Sequence, residues 1–186
     1  ALDDAFYLSF GNVESTGLRY YLGIDCSGSM SSRFNDSNLT VREAAGAMAM
    51  VTAKTEKQHY MAGFTAKGSN YYTRENTGMV ELGISSKDRL DTVCRKIDKT
   101  NFGTTDCALP MLDALEKKIP AEIFIIYTDN ETYAGRIHPI QALDKYKNAM
   151  GIDSKLIVVG MTSTGFTIAD STRKDNLDVI GFDSST

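Results

Sequence analysis

Asp25, Ser27 and Ser29 stand on alternate residues of Asp25-Cys26-Ser27-Gly28-Ser29, directly after the apolar run Tyr20-Tyr21-Leu22-Gly23-Ile24. One carboxylate and two hydroxyls at that spacing are donors for a hard divalent cation. Mg²⁺ and Mn²⁺ take oxygen ligands and commonly keep waters or leave a position open to a partner. The same residue types crowd ordinary turns, where they bond their own backbone, so the pentapeptide alone leaves both readings open. Two more oxygen clusters add to it. Thr128-Asp129-Asn130-Glu131 follows the apolar run at 123–127, and Gly103-Thr104-Thr105-Asp106 precedes a helical stretch through Leu109, Leu112 and Leu115. If the three loops converge, Asp25, Ser27, Ser29, Thr105 and Asp129 surround one site. Two unpaired carboxylates repel each other and favour cation uptake, and an incompletely filled shell accepts an acidic oxygen from a partner. In the competing reading Asp106 caps the following helix, Asp129 caps a turn and the serines shape loops. For Asp106, just ahead of a helix, capping is the expectation; Glu131 either supports the site from behind or faces solvent.

The elements that must position these loops are legible from hydrophobic patterning. Runs at 20–24, 60–64, 123–127 and 156–159 are short and apolar without alternation, as strands buried on both faces of a parallel sheet are. Residues 79–82, after Thr77-Gly78, suggest a short edge strand, and a last strand is expected near Val179-Ile180. Thr40-Val41-Arg42-Glu43 has the capping-box pattern and opens a helix to about residue 56. Its Ala, Met and Val content around most of the circumference predicts burial, with Met48 and Met50 as core filler. Leu90, Val93, Cys94 and Ile97 follow helical spacing after Ser85 or Ser86. His138-Pro139 starts another helix, which Gly151 ends. Strands alternating with helices imply right-handed crossovers, and ligands in such sheets bind beyond the carboxyl ends of the strands. The loops after residues 24 and 127 therefore fall where a binding site belongs.

Composition narrows the function classes. The chain has 186 residues, 42% hydrophobic and 24% charged, the balance of one globular domain with a sizeable core. No segment reaches the apolar length of a membrane span, and the first residues lack a secretory layout. A net charge of −4 argues against gripping nucleic acid through the overall field. Arg89, Arg95, Lys96 and Lys99 cluster on one helix, but Asp88, Asp91 and Asp98 are interleaved, as on a solvated face. Cys26, Cys94 and Cys107 are odd in number and unpaired in spacing, which points to a reducing compartment. With His59 and His138 they show no zinc-ligand spacing. Catalysis is not expected: no phosphate-binding Gly-rich loop is present, Ser27 stands where an aspartyl-phosphate phosphatase has its second carboxylate, and no histidine is placed to activate Ser27 or Ser29.

The oxygen motifs carry a resemblance. Asp-x-Ser-x-Ser at 25–29, Thr105 in Gly103-Thr104-Thr105 and Asp129 in Tyr127-Thr128-Asp129-Asn130 resemble the metal-ion-dependent adhesion site of von Willebrand factor A domains, with Thr104 where that family usually has a second glycine. The resemblance implies an α/β, Rossmann-like fold: a central, mostly parallel six-stranded sheet with one short antiparallel edge strand and helices on both faces. It also implies a metal site that takes its last ligand from a partner. Longer segments at 104–111, 128–135 and 160–170, with 1–7 and 181–183, are similar to the A domain of the Ro autoantigen (TROVE-domain) family. In that family a ring of helical repeats precedes the A domain and holds most of the binding surface for small noncoding and misfolded RNAs. No such ring is in these 186 residues.

The expectation is therefore a single A-like domain over 1–186, with 1–17 as an N-terminal extension. It is a noncatalytic binding module within a Ro-like ribonucleoprotein, monomeric in isolation, cytoplasmic and also nuclear, with no membrane contact. Its cofactor is a divalent cation, Mg²⁺ first and Mn²⁺ or Ca²⁺ as substitutes, held by Asp25, Ser27, Ser29, Thr105 and Asp129. Its partners are an acidic group of a protein at that cation and, through the family's ring, noncoding RNA. An extracellular integrin-like adhesion domain binding matrix protein through the same metal site is the alternative.

Overall fold

A computed structural model describes residues 13–34, 39–66, 78–99, 103–129, 135–162 and 167–180 of the chain. Its centre is a six-stranded sheet in the order β3-β2-β1-β4-β5-β6, formed by β1 (Tyr20–Asp25), β2 (His59–Phe64), β3 (Met79–Val80), β4 (Ile123–Thr128), β5 (Lys155–Gly160) and β6 (Asn176–Ile180). All neighbours pair in parallel except the edge strand β3, antiparallel to β2. Among the described residues four α-helices join the strands: α1 (Val41–Thr55), α2 (Leu90–Asp98), α3 (Leu109–Glu116) and α4 (Pro139–Met150). The expected fold class is thus the observed one. The edge strand is two residues long rather than four, and β6 begins earlier than the apolar pair Val179-Ile180 alone announced.

Each strand's double-sided burial follows from its composition. In β4 every residue is buried: Ile123, Ile125 and Tyr127 face the core beneath α1, while Phe124 and Ile126 face the core beneath α3 and α4. Fully burying such a side chain stabilises by about 1.5–3 kcal/mol, so β4 anchors both layers. Helix α1 begins as its sequence dictates. Thr40 Oγ1 accepts from Glu43 N at 3.2 Å, and Glu43 Oε2 accepts from Thr40 N at 2.7 Å. Helix α4 is capped by His138, whose Nδ1 accepts from Ile140 N at 3.3 Å, and it ends at Gly151 with φ +66°. Helix α2 starts at Leu90 rather than near Ser85, because Asp88 Oδ2 accepts from Ser85 N at 2.8 Å and closes a turn ahead of it.

One close approach sets the position of α3. A Cβ at Gly23 in β1 would lie 2.9 Å from Pro110 Cγ, so the first turn of α3 rests on the β1 backbone. Glycine is required there. The strand order also reverses direction between β1 and β4, and this switch point opens a crevice beyond their carboxyl ends. The loops after β1, before α3 and after β4 meet there.

Candidate metal centre

Asp25 ends β1 with no exposed surface, and both its oxygens are oriented by neighbours. Oδ1 accepts from Ser27 N at 2.8 Å, the local turn that this spacing favours. Oδ2 accepts from Thr128 Oγ1 at 2.7 Å, across the β1–β4 switch point. Ser27 Oγ and Ser29 Oγ lie 3.2 Å apart, so the two hydroxyls of the motif converge. Gly28 N donates to Gly103 O at 3.2 Å, which ties the motif to the loop carrying Thr105. Asp129 follows β4 directly and is 6% exposed. Its backbone is held by Thr162 Oγ1, which donates to Asp129 O at 3.3 Å. Asp25, Ser27, Thr105 and Asp129 are buried while Ser29 is exposed, so the cluster has a dry floor and an open rim.

The electrostatics of the floor are unfavourable as they stand. Asp129 Oδ1 is buried and finds no hydrogen-bond donor among the described residues. Burial pushes the Asp25 carboxyl up to about 7; the bonds from Thr128 and Ser27 act against the rise, and the charge of Asp129 adds to it. A buried acceptor without a donor costs about 1–3 kcal/mol, more when charged. Two carboxylates and a pair of converging hydroxyls fit a hard divalent cation, which would satisfy the unpaired oxygen and neutralise the pair. Among the described residues no three His, Cys, Asp or Glu side chains gather into a conventional cage. Hydroxyls would have to supply the remaining protein donors.

Two residues that the spacing did not single out act on Asp25, one through a hydrogen bond and one through its charge. Thr128 orients Asp25; its signal was a hydroxyl at the last position of a buried strand, immediately before Asp129. Arg42, in the first turn of α1, is 1% exposed. Burial lowers its pKa, against the pull of Cys26, Asp98, Glu43 and Asp25. A lone arginine in an Ala/Met-rich helix was its signal.

Asp106 does not cap α3 as expected. Its Oδ1 accepts from Ala108 N at 3.1 Å, and the helix starts at Leu109 with Ala108 as a cap that makes no side-chain bond. The carboxylate shapes the turn that leads into the helix, one residue too early to serve the helix's own free N–H groups. Glu131 lies outside the described residues. The basic face of α2 is as the interleaved charges predicted: Arg95 pairs with Asp91 at 3.2 Å and Lys96 with Asp88 at 2.6 Å. His59 opens β2 at the far end of the sheet, opposite Tyr20, and His138 caps α4. No described helix is long and apolar enough to cross a membrane.

Comparison with known proteins gives the family. The family described as the Ro60 vWA domain matches residues 19–186. The chain is 42% identical to the RNA-binding protein RO60 of Deinococcus radiodurans over 100% of its own length and 33% of that protein's. It is 40% identical to the RNA-binding protein RO60 of Caenorhabditis elegans, again over 100% of itself and 27% of the relative. The crystal structure of the Deinococcus radiodurans Ro (RSR) protein superposes with a TM-score of 0.84 at 41% identity, covering 100% of this chain and 36% of that one. The chain thus spans a third or less of the length of these two relatives.

Proposed function

Because the chain belongs to the Ro60 von Willebrand factor A domain family, we propose that it is a noncatalytic docking module of a Ro-like ribonucleoprotein. In this reading a divalent cation, Mg²⁺ in the first instance with Mn²⁺ or Ca²⁺ as substitutes, is held by Asp25, Ser27, Ser29, Thr105 and Asp129. An acidic group of a protein partner completes the shell from the open side, at Ser29. Bound there, the cation supplies positive charge to a site that otherwise holds two buried carboxylates. The residues of the chain do the rest. Thr128 and the backbone of Ser27 fix the Asp25 carboxylate, the Gly28–Gly103 bond brings the Thr105 loop alongside, and Thr162 steadies the backbone at Asp129. The observation that carries this reading is the buried Asp129 Oδ1 without a donor among the described residues.

RNA enters through the family. Both relatives are named as RNA-binding proteins, and the parent particle of this domain would bind noncoding RNA mainly outside these 186 residues. Both relatives carry the name of an RNA-binding protein, which favours this reading over extracellular matrix adhesion; the proposed setting is cytoplasmic and nuclear. No described histidine lies beside Ser27 or Ser29 to act as a base, which supports docking over acyl-transfer chemistry.

Calorimetric titration with Mg²⁺ and Mn²⁺ tests the site. Asp25→Ala and Asp129→Ala should each weaken binding by a hundredfold or more, equivalent to about 3 kcal/mol. Unchanged affinity in the double variant overturns the assignment.

A further inference from the structure

Beside the cation site, the same loop builds a second feature. Asp106, one residue past Thr105, helps to line a cavity of about 630 Å³, with Leu109 and Leu112 of α3, Arg136 and Ile137 ahead of α4, and Lys145 of α4. Three chemistries meet in it. Leu109, Leu112 and Ile137 give it apolar walls. Arg136 and Lys145 are exposed cations, and neither forms an ion pair with a described residue. Asp106 Oδ1 accepts from Ala108 N, while Oδ2 has no hydrogen bond among the described residues. Gly135, at φ +104°, lies directly against that carboxylate: a Cβ there would sit 2.6 Å from Asp106 Cγ. Any side chain at 135 would press on the acid and crowd that end of the cavity.

We propose that this cavity binds one nucleotide of single-stranded RNA. The base lies on the apolar walls and gives its N–H donors to Asp106, and the phosphate meets Arg136 and Lys145. The inference rests on the RNA part of the function proposed above, and it assigns to this domain an RNA contact of its own. The combination of groups selects the ligand. An acidic peptide would satisfy the two cations but bring a like charge toward Asp106. A nucleotide carries the negative charge at one end and ring donors at the other. Guanine presents both N1–H and N2–H₂ on its Watson–Crick edge, a match for a carboxylate, whereas adenine offers only its amino group. Guanine is therefore the preferred base. Against a net charge of −4, binding is weak and salt-sensitive.

Guanosine and adenosine 5′-monophosphates, and short single-stranded oligonucleotides containing or lacking guanine, titrated into the 186-residue chain in chelator test this. Methyl resonances of Leu109, Leu112 and Ile137 are the readout. The expected result is saturable binding with guanine preferred, about tenfold weaker in an Arg136→Ala/Lys145→Ala variant whose melting temperature is unchanged. Asp106→Asn should abolish the preference for guanine over adenine while leaving the phosphate contribution. Absence of saturable shifts, indifference to the double variant, or displacement of shifts by a glutamate-rich peptide alone overturns the proposal. Chelator removes the cation from the experiment, so failure of the cation site leaves these results standing. Failure here with cation uptake intact counts against the cavity only.

Discussion

The two ends of the sheet treat their acids in opposite ways. At the amino ends of the strands each acid has partners. Glu56, 4% exposed, accepts four hydrogen bonds, from Ser15 Oγ, Thr16 N, Thr16 Oγ1 and Gly17 N, and so ties the segment before β1 to the end of α1. Arg19 meets Glu122 at 3.2 Å, and Asp175 accepts from Arg173 and Lys147 at 2.9 and 2.7 Å. In the α3 layer, buried Asp113 accepts from Tyr21 Oη at 2.7 Å and pairs with Lys117 at 2.7 Å. At the carboxyl ends, Asp25 has only hydroxyl and backbone donors, and Asp129 Oδ1 has none among the described residues. The fold pairs its acids at one end, whereas at the other it leaves Asp129 Oδ1 without a described donor and gives Asp25 hydroxyl and backbone donors, with the buried Arg42 guanidinium acting on it through charge. One end holds the chain together, and the other carries the candidate cation site.

That contrast can be broken most strongly at Glu56. Glu56→Ala strands the donors of Ser15, Thr16 and Gly17, and it should destabilise by about 2–4 kcal/mol in a denaturant melt while leaving cation affinity unchanged. A parallel loss of cation binding would mean that the two ends are not independent. Asp129→Asn is expected to act with the opposite sign. In chelator it removes one of two mutually repelling buried carboxylates and should raise stability by about 1 kcal/mol, while abolishing the rise in melting temperature that Mg²⁺ is expected to give the native chain. A destabilised variant in chelator would mean that Asp129 is a structural acid after all.

The smallest expected effect is in acid. The Arg173 guanidinium, helped by the Lys147 ammonium and Asn176 against the opposing effect of burial, holds Asp175 well below the usual carboxylate range. An unfolded aspartate titrates near about 3.9. The stability contributed by the depressed pKa is therefore fully present above that value, and it is lost as pH falls toward the folded pKa. Asp144 at Arg173 and Asp153 at Lys147 face the same cations. Melting temperature measured from pH 5 to pH 2 should fall less steeply in Asp175→Asn than in the native chain. Identical slopes would remove Asp175 from the stabilising end.

Much of the fold was legible because its signals are local. A strand buried on both faces must be apolar at successive positions, and residues 123–127 are; a capping box is complete within four residues, and Thr40 to Glu43 forms it. The family resemblance held as well, with a matching family description over residues 19–186. Less local features were harder. Asp106 stood in the right place for a cap, yet its carboxylate closed a turn one step before the helix. The segment at 79–82 kept only two residues in register with β2, because a short antiparallel edge needs nothing more. Glu56 gave no signal, since its partners stand about 40 residues earlier in the chain.

By itself the sequence determined the types and the spacing. Asp25, Ser27 and Ser29 alternate after an apolar run, and Thr105 and Asp129 occupy the ends of other elements, so five oxygens were available to one site if the elements converged. Tertiary structure decided the neighbours. Strand β4 lies beside β1, although about a hundred residues separate Asp25 from Thr128, and only that adjacency lets the Thr128 hydroxyl orient the Asp25 carboxylate. The Gly28–Gly103 bond and the seat of Pro110 on Gly23 bring the third loop to the same crevice. The physical reason is that oxygen donors are fixed by residue type, whereas the charge and solvation around a carboxylate are set by whatever the sheet order places against it. Around Asp25 it placed the Thr128 hydroxyl and the charges of Asp129 and Arg42.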